Sequence, residues 1–160
     1  SEEFGGSVRL GGGNRNLREL SARITGPFSE QWSGKLAVLY RDRDGLYPNR
    51  SLGGYQGALE TLIVRPALAF RGDAFDATLI GEYGDASGDG PSARNFYLFG
   101  VSIDPYADHS TRQTTKGRSD LEWSSVTLEA NWDLWGGQLT GILGYREIDQ
   151  SSFGDVDGAP

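Results

Sequence analysis

The segment Val126-Thr127-Leu128-Glu129-Ala130-Asn131-Trp132-Asp133-Leu134 alternates apolar and polar residues almost without a break. Side chains on a β-strand point to opposite faces in turn, so this pattern sets an apolar face against a polar one. Wound as a helix, the same residues would scatter charge around the whole circumference. The segment therefore predicts a strand lying between two different environments.

The pattern recurs along the chain. Phe4, Val8 and Leu10 oppose Ser7 and Arg9. Leu20, Ala22, Ile24 and Phe28 oppose Glu19, Ser21, Arg23 and Thr25. Trp32, Leu36, Val38 and Tyr40 oppose Ser33, Lys35 and Arg41. Tyr55, Leu59 and Ile63 share a face against Gln56 and Glu60. Phe75, Ala77, Leu79 and Tyr83 oppose Asp76, Thr78 and Glu82, and Leu139, Leu143 and Tyr145 oppose Gln138, Thr140 and Arg146. These segments predict an all-β, antiparallel up-and-down meander of about seven strands, each roughly ten residues long, as a tilted membrane strand requires.

The connections are expected to alternate in length. Gly26-Pro27-Phe28-Ser29-Glu30, Phe70-Arg71-Gly72-Asp73 and Trp135-Gly136-Gly137 read as tight turns, since Pro fixes φ and Gly permits positive φ. Between them lie longer polar connections at Gly11 to Asn16, Asp44 to Gly53 and about Gly84 to Ser119. The last is longer than an ordinary hairpin loop. Gly11-Gly12-Gly13 lacks the Lys and the strand-to-helix setting of a phosphate loop, and reads as a hairpin turn. Trp32, Phe75, Trp132 and Trp135 fall near the short turns, and Tyr40, Tyr55, Tyr83 and Tyr145 nearer the long ones. Alternation alone fits either a membrane barrel or a soluble β-sandwich or lipocalin-like barrel with its apolar face inward. Short turns at one end, long loops at the other and two aromatic levels favour the membrane barrel.

Composition narrows the classes further. Glycine occurs 24 times in 160 residues, or 15%, about twice the average usage of roughly 7%, and without a collagen period. The formal charge of −7 argues against a nucleic-acid partner, which would need a basic face. No apolar run approaches the roughly 20 residues of a membrane-spanning helix. There is no Cys, hence no disulfide and no thiolate metal site. There is also no Met, so Ser1 reads as a processed or internal start.

Three stretches carry a family resemblance. Phe4-Gly5-Gly6-Ser7-Val8-Arg9-Leu10-Gly11, Arg18-Glu19-Leu20-Ser21-Ala22-Arg23-Ile24-Thr25-Gly26-Pro27 and Lys35-Leu36-Ala37-Val38-Leu39-Tyr40-Arg41-Asp42-Arg43-Asp44-Gly45 resemble the first barrel strands of TonB-dependent outer-membrane receptors. Leu128 to Leu134 with Gln138 to Arg146 is similar to a hairpin common in that family. The resemblance implies that residues 1–160 are an incomplete part of a 22-stranded transmembrane β-barrel, with a long extracellular-type loop at about 84–119. It implies a plug domain and further strands elsewhere in the same protein, and energy drawn from TonB through an N-terminal box. The substrate would be a small molecule or metal chelate: a ferric siderophore, cobalamin, haem or a glycan. The expected location is the outer membrane of a Gram-negative bacterium, in contact with its lipid. A passive porin-like channel and a soluble β-rich binding or adhesion module are the alternatives.

No catalytic constellation is apparent, so enzymatic activity is not expected, and no cofactor is expected. His109 is the only histidine, so a multi-His zinc site is impossible. Asp85, Ser87 and Asp89, followed by Gly90, begin like a calcium loop, but the twelfth position is Phe96 rather than a carboxylate. A flexible acidic loop with Asp-Gly turns is the favoured reading there, and likewise at Asp155-Val156-Asp157-Gly158. Arg41 and Arg43 fall on the polar phase. A salt-bridge ladder with neighbouring acids is favoured over ligand contact, although guanidinium forks suit carboxylate or phosphate oxygens. Tyr97, Phe99, Tyr106, His109 and Arg112 are loop residues that could touch a substrate.

Overall fold

The computed structural model describes residues 3–93, 97–98, 101–102 and 109–155. Its strands are β1 (Gly5–Gly13), β2 (Leu17–Pro27), β3 (Trp32–Arg43), β4 (Tyr47–Pro48), β5 (Tyr55–Gln56), β6 (Leu59–Arg71), β7 (Phe75–Gly88), β8 (Tyr97–Leu98), β9 (Val101–Ser102), β10 (Arg118–Leu134) and β11 (Gly137–Phe153). Seven of them form one antiparallel meander, ordered β1-β2-β3-β6-β7-β10-β11. The pairs β4-β5 and β8-β9 are two-stranded ribbons within the longer connections. The expected seven-stranded all-β meander is present.

Register brings like faces together. Val8 pairs with Ala22, Ala22 with Val38, Val38 with Val64 and Val64 with Tyr83. Leu79 pairs with Leu128, and Leu128 with Leu143. Apolar residues thus occupy one face from β1 to β11. Because the side-chain period is two, a one-residue slip in any pair would turn a whole strand over, so this match fixes the register.

Among the described residues nothing covers the apolar face. Ala130 is the only buried hydrophobic residue among those described, whereas Val8 is 70% exposed, Ile24 59% and Leu143 72%. The buried residues are instead polar: Asn49, Gln56, Asp89, Ser110, Thr111 and Gln113. A soluble domain packs a second layer against an apolar sheet face. Here no second layer lies on that face among the described residues. The outer edges of β1 and β11 also have no strand beside them in the sheet.

At the short-turn end, a row of rings crosses four strands. Trp32 meets Phe70 at 5.0 Å between centroids, Phe70 meets Phe75 at 6.0 Å, and Phe75 meets Trp132 at 5.2 Å. Two further rings seat themselves on glycines of the same face, Phe4 over Gly26 and Phe28 over Gly34. Each ring occupies the space that a Cβ would take, which only glycine leaves open. Tyr40, Tyr83 and Tyr145 mark the other end of this face.

Four expectations need correction. Gly11, Gly12 and Gly13 are not a turn but strand, paired with Glu19, Arg18 and Leu17. The connection is a tight one over Asn14, Arg15 and Asn16, with positive φ at Arg15 and Asn16. Asn tolerates that conformation, so the turn chemistry lay one step beyond the glycines. Tyr55 does not belong to the strand of Leu59 and Ile63, because Gly57 with φ 86° breaks the chain between them. On β6 the phase is opposite to that expected: Leu62, Val64, Pro66, Leu68 and Phe70 take the apolar face, and Ile63 the polar one. Leu62-Ile63-Val64 is apolar in both phases, so pairing with β3 decides it. Finally, β7 runs on to Gly88 and β10 starts at Arg118, which shortens the long connection at both ends.

Candidate functional site

Chemistry-bearing residues gather in two places, the polar face of the sheet and the end with the long connections. The polar face carries ion pairs between neighbouring strands. Arg41 pairs with Glu19 at 3.3 Å, and Arg65 with Glu82 at 2.6 Å. The indole nitrogen of Trp123 donates to the second Glu82 carboxylate oxygen at 2.8 Å. Nearer the short turns, Asn131 donates to Asp76 at 3.0 Å and accepts from Thr140 at 2.6 Å. Arg41 with Glu19, Asn131 with Asp76 and Asn131 with Thr140 are directly opposed across the ladder, whereas Trp123 reaches Glu82 on the diagonal.

Arg41 therefore belongs to the favoured salt-bridge ladder. Arg43 turns toward the loop between β5 and β6 and donates through Nη2 to the Gly57 carbonyl at 3.2 Å. Its Nε is buried and has no acceptor among the described residues.

At the other end, the β3–β6 connection is tied to the segment before β10. Asn49 and Thr111 form an isolated parallel bridge. The Arg50 N–H donates to the Thr111 carbonyl at 2.9 Å, and the Thr111 N–H to the Pro48 carbonyl at 2.8 Å. The Asn49 side chain donates to the Gln113 carbonyl at 3.0 Å and accepts from the backbone of Ser51 and Leu52. Thr111 Oγ1 donates to Gln56 at 2.7 Å, and Gln113 Nε2 to the Asp155 carbonyl at 2.6 Å. On the β1–β2 turn, the Arg15 guanidinium lies 3.7 Å from the centroid of the Tyr55 ring. Loops without apolar fillings are ordered here by exchanged hydrogen bonds, which buried polar groups require.

His109 and Arg112 flank this knot and are exposed. The Arg112 carbonyl accepts from Ser51 Oγ at 2.7 Å, so its backbone is held while its side chain faces outward. Tyr97 lies in β8. Phe99 and Tyr106 lie outside the described residues, as do Val156, Asp157 and Gly158. The structure thus brings Arg112 and His109 to one rim, and leaves Arg41 and Arg43 on the sheet.

The calcium-like reading of Asp85, Ser87 and Asp89 does not hold. Asp85 and Ser87 are in extended strand β7, paired with Glu122 and Asp120 of β10. A calcium loop wraps its ligands around the ion and a flexible acidic loop leaves its backbone unpaired, whereas Asp85 and Ser87 are extended and paired with β6 as well as β10. Asp89 is engaged elsewhere: it accepts from the Ala58 N–H at 3.1 Å and pairs with Lys116 at 3.4 Å. Among the described residues no group of three acidic or histidine side chains is placed to hold a metal.

The sequence reading placed Arg146 on the polar face without a role, and missed Trp123 and Arg65 there and the knot of Asn49, Gln56, Thr111 and Gln113. Trp123 was findable. Extending the alternation of β10 backward from Val126 puts Trp123 in the polar phase. The knot gives no such signal, because its partners are more than fifty residues apart. No family model matches the chain, and no curated protein matches it either.

Proposed function

We propose that this sheet is part of the barrel wall of a TonB-dependent outer-membrane receptor, and that the whole protein takes up a scarce small molecule or metal chelate with TonB-supplied energy. The observation that carries the reading is the sheet's inverted burial: large apolar side chains exposed on one face, and an ion-paired polar face opposite. Lipid is the medium in which such an apolar face is stable, and a polar lumen suits the other. Supporting it are the ring row at the short-turn end and the lengths of 11 to 17 residues of the sheet strands β2, β3, β6, β7, β10 and β11. Free strand edges are not tolerated in lipid, so further strands must flank β1 and β11. A plug domain and TonB are the remaining partners in this reading.

The test is to express the protein from its complete gene and fractionate the cells. Recovery in the outer membrane, heat-modifiable migration on gels and loss of ligand uptake on deleting tonB are the expected results. Recovery as a monodisperse protein without detergent would overturn the reading. Outer-membrane recovery with tonB-independent passage of small solutes would favour a passive channel instead.

A further inference from the structure

The polar face holds a small cavity that the ion-pair ladder does not explain. Its volume is about 210 Å³, and it is lined by Glu82, Leu121, Trp123, Arg146 and Ile148. Register accounts for the grouping. Ser125 on β10 sits between Glu82 of β7 and Arg146 of β11, and Trp123 sits between Gly84 and Ile148. All of these share the polar phase. The short Ser125 side chain leaves a hollow between the two long charged ones.

The Trp123 ring is fixed on two sides. It covers Gly84, where a Cβ would fall 2.0 Å from Cζ2. Its N–H is spent on Glu82. Both Glu82 oxygens are thereby engaged, one by Trp123 and one by Arg65. The indole is left as a rigid platform bordering the cavity, with Ile148 and Leu121 beside it. Arg146 is different. It is exposed and makes no hydrogen bond or ion pair among the described residues, and its charge acts on Glu82 only through space. A fixed aromatic surface next to a guanidinium with no close acceptor among the described residues suits a ring that bears a carboxylate. The ring stacks on the indole, and the carboxylate takes the guanidinium fork.

We propose that this cavity is a binding subsite for an aromatic carboxylate, with Trp123 as the stacking surface and Arg146 as the anion contact. It deepens the receptor reading, since in that reading the polar face borders the lumen. Binding and location are measured separately, so failure of one is distinguishable from failure of the other.

The experiment uses protein expressed from the complete gene, purified in mild detergent, and titrated calorimetrically with sodium benzoate. Acetate lacks the ring and benzyl alcohol lacks the charge, so each binds at least about threefold more weakly. Arg146→Gln weakens benzoate binding about tenfold, the loss of a hydrogen bond to a charged group. Trp123→Ala weakens it about three- to tenfold, whereas Trp123→Phe, which keeps a ring, retains most of it. Thermal melts confirm that Arg146→Gln is folded, as expected for an exposed side chain with no hydrogen bond or ion pair among the described residues. Benzoate affinity unchanged in Arg146→Gln, equal affinity for acetate, or no benzoate binding at all would overturn the subsite.

Discussion

Replacing Leu128 by Arg places a charge in the middle of the exposed apolar face. Leu128 pairs with Leu79 on one side and Leu143 on the other. It lies six residue steps from Leu134, where β10 meets the short turn. At about 3.3 Å per residue and a tilt near 40°, that is roughly 15 Å of height. The lipid-facing band of such a barrel is about 25 Å tall, so in the proposed barrel Leu128 would lie within about 3 Å of its midplane. Arg at that depth costs about 2–4 kcal/mol, or roughly 30- to 700-fold in the folding equilibrium. The control is Thr127→Arg, one residue away at the same depth on the polar face, where the charge stays hydrated. Both variants of the full-length protein would be unfolded in urea in lipid vesicles and scored by heat-modifiable migration. Leu128→Arg should lose stability by the stated amount, and Thr127→Arg by less than about 1 kcal/mol. Equal losses would refute the assignment of the apolar face to lipid.

Three further outcomes follow from the contacts. Asn49→Ala removes the side chain that holds Gln113, Ser51 and Leu52, at a cost of about 1–3 kcal/mol; trypsin should then cut after Arg50 at least about fivefold faster, and an unchanged rate would mean the knot does not hold the loop. Gly84→Ala sets a methyl against the Trp123 ring and should cost about 1–3 kcal/mol in urea unfolding. Its fluorescence change should vanish in a Trp123→Phe background, and persistence there would place the effect elsewhere. Arg41→Ala breaks a pair whose side chains are 51% and 27% exposed, so its loss should stay below about 1 kcal/mol, and a loss beyond about 3 kcal/mol would show that Arg41 does more than pair with Glu19.

Much of the sheet was legible in the sequence because alternation states directly which residues share a face. Val126 to Leu134, Leu20 to Ile24 and Trp32 to Tyr40 all take the expected phase. The sequence failed where alternation carried no contrast. In Leu62-Ile63-Val64 either phase is apolar, and only the partner strand β3 selects one. It also failed where glycine had two meanings. Gly11 to Gly13 look like a turn, yet pairing with β2 makes them strand, and Asn14 to Asn16 turn the chain instead.

The candidate site was less legible. Arg41 was placed with its acidic neighbour by charge and phase alone. The cavity beside Trp123 needs three strands in register, β7, β10 and β11, and nothing local in any one of them encodes it. The sequence by itself determined that this chain makes long two-faced strands joined into a meander, because strand periodicity is a property of each segment. The tertiary structure alone decided that no second layer covers the apolar face among the described residues, that polar loops knit together and that Trp123 stands beside Arg146. Those facts depend on which distant residues meet, and register rather than composition sets that.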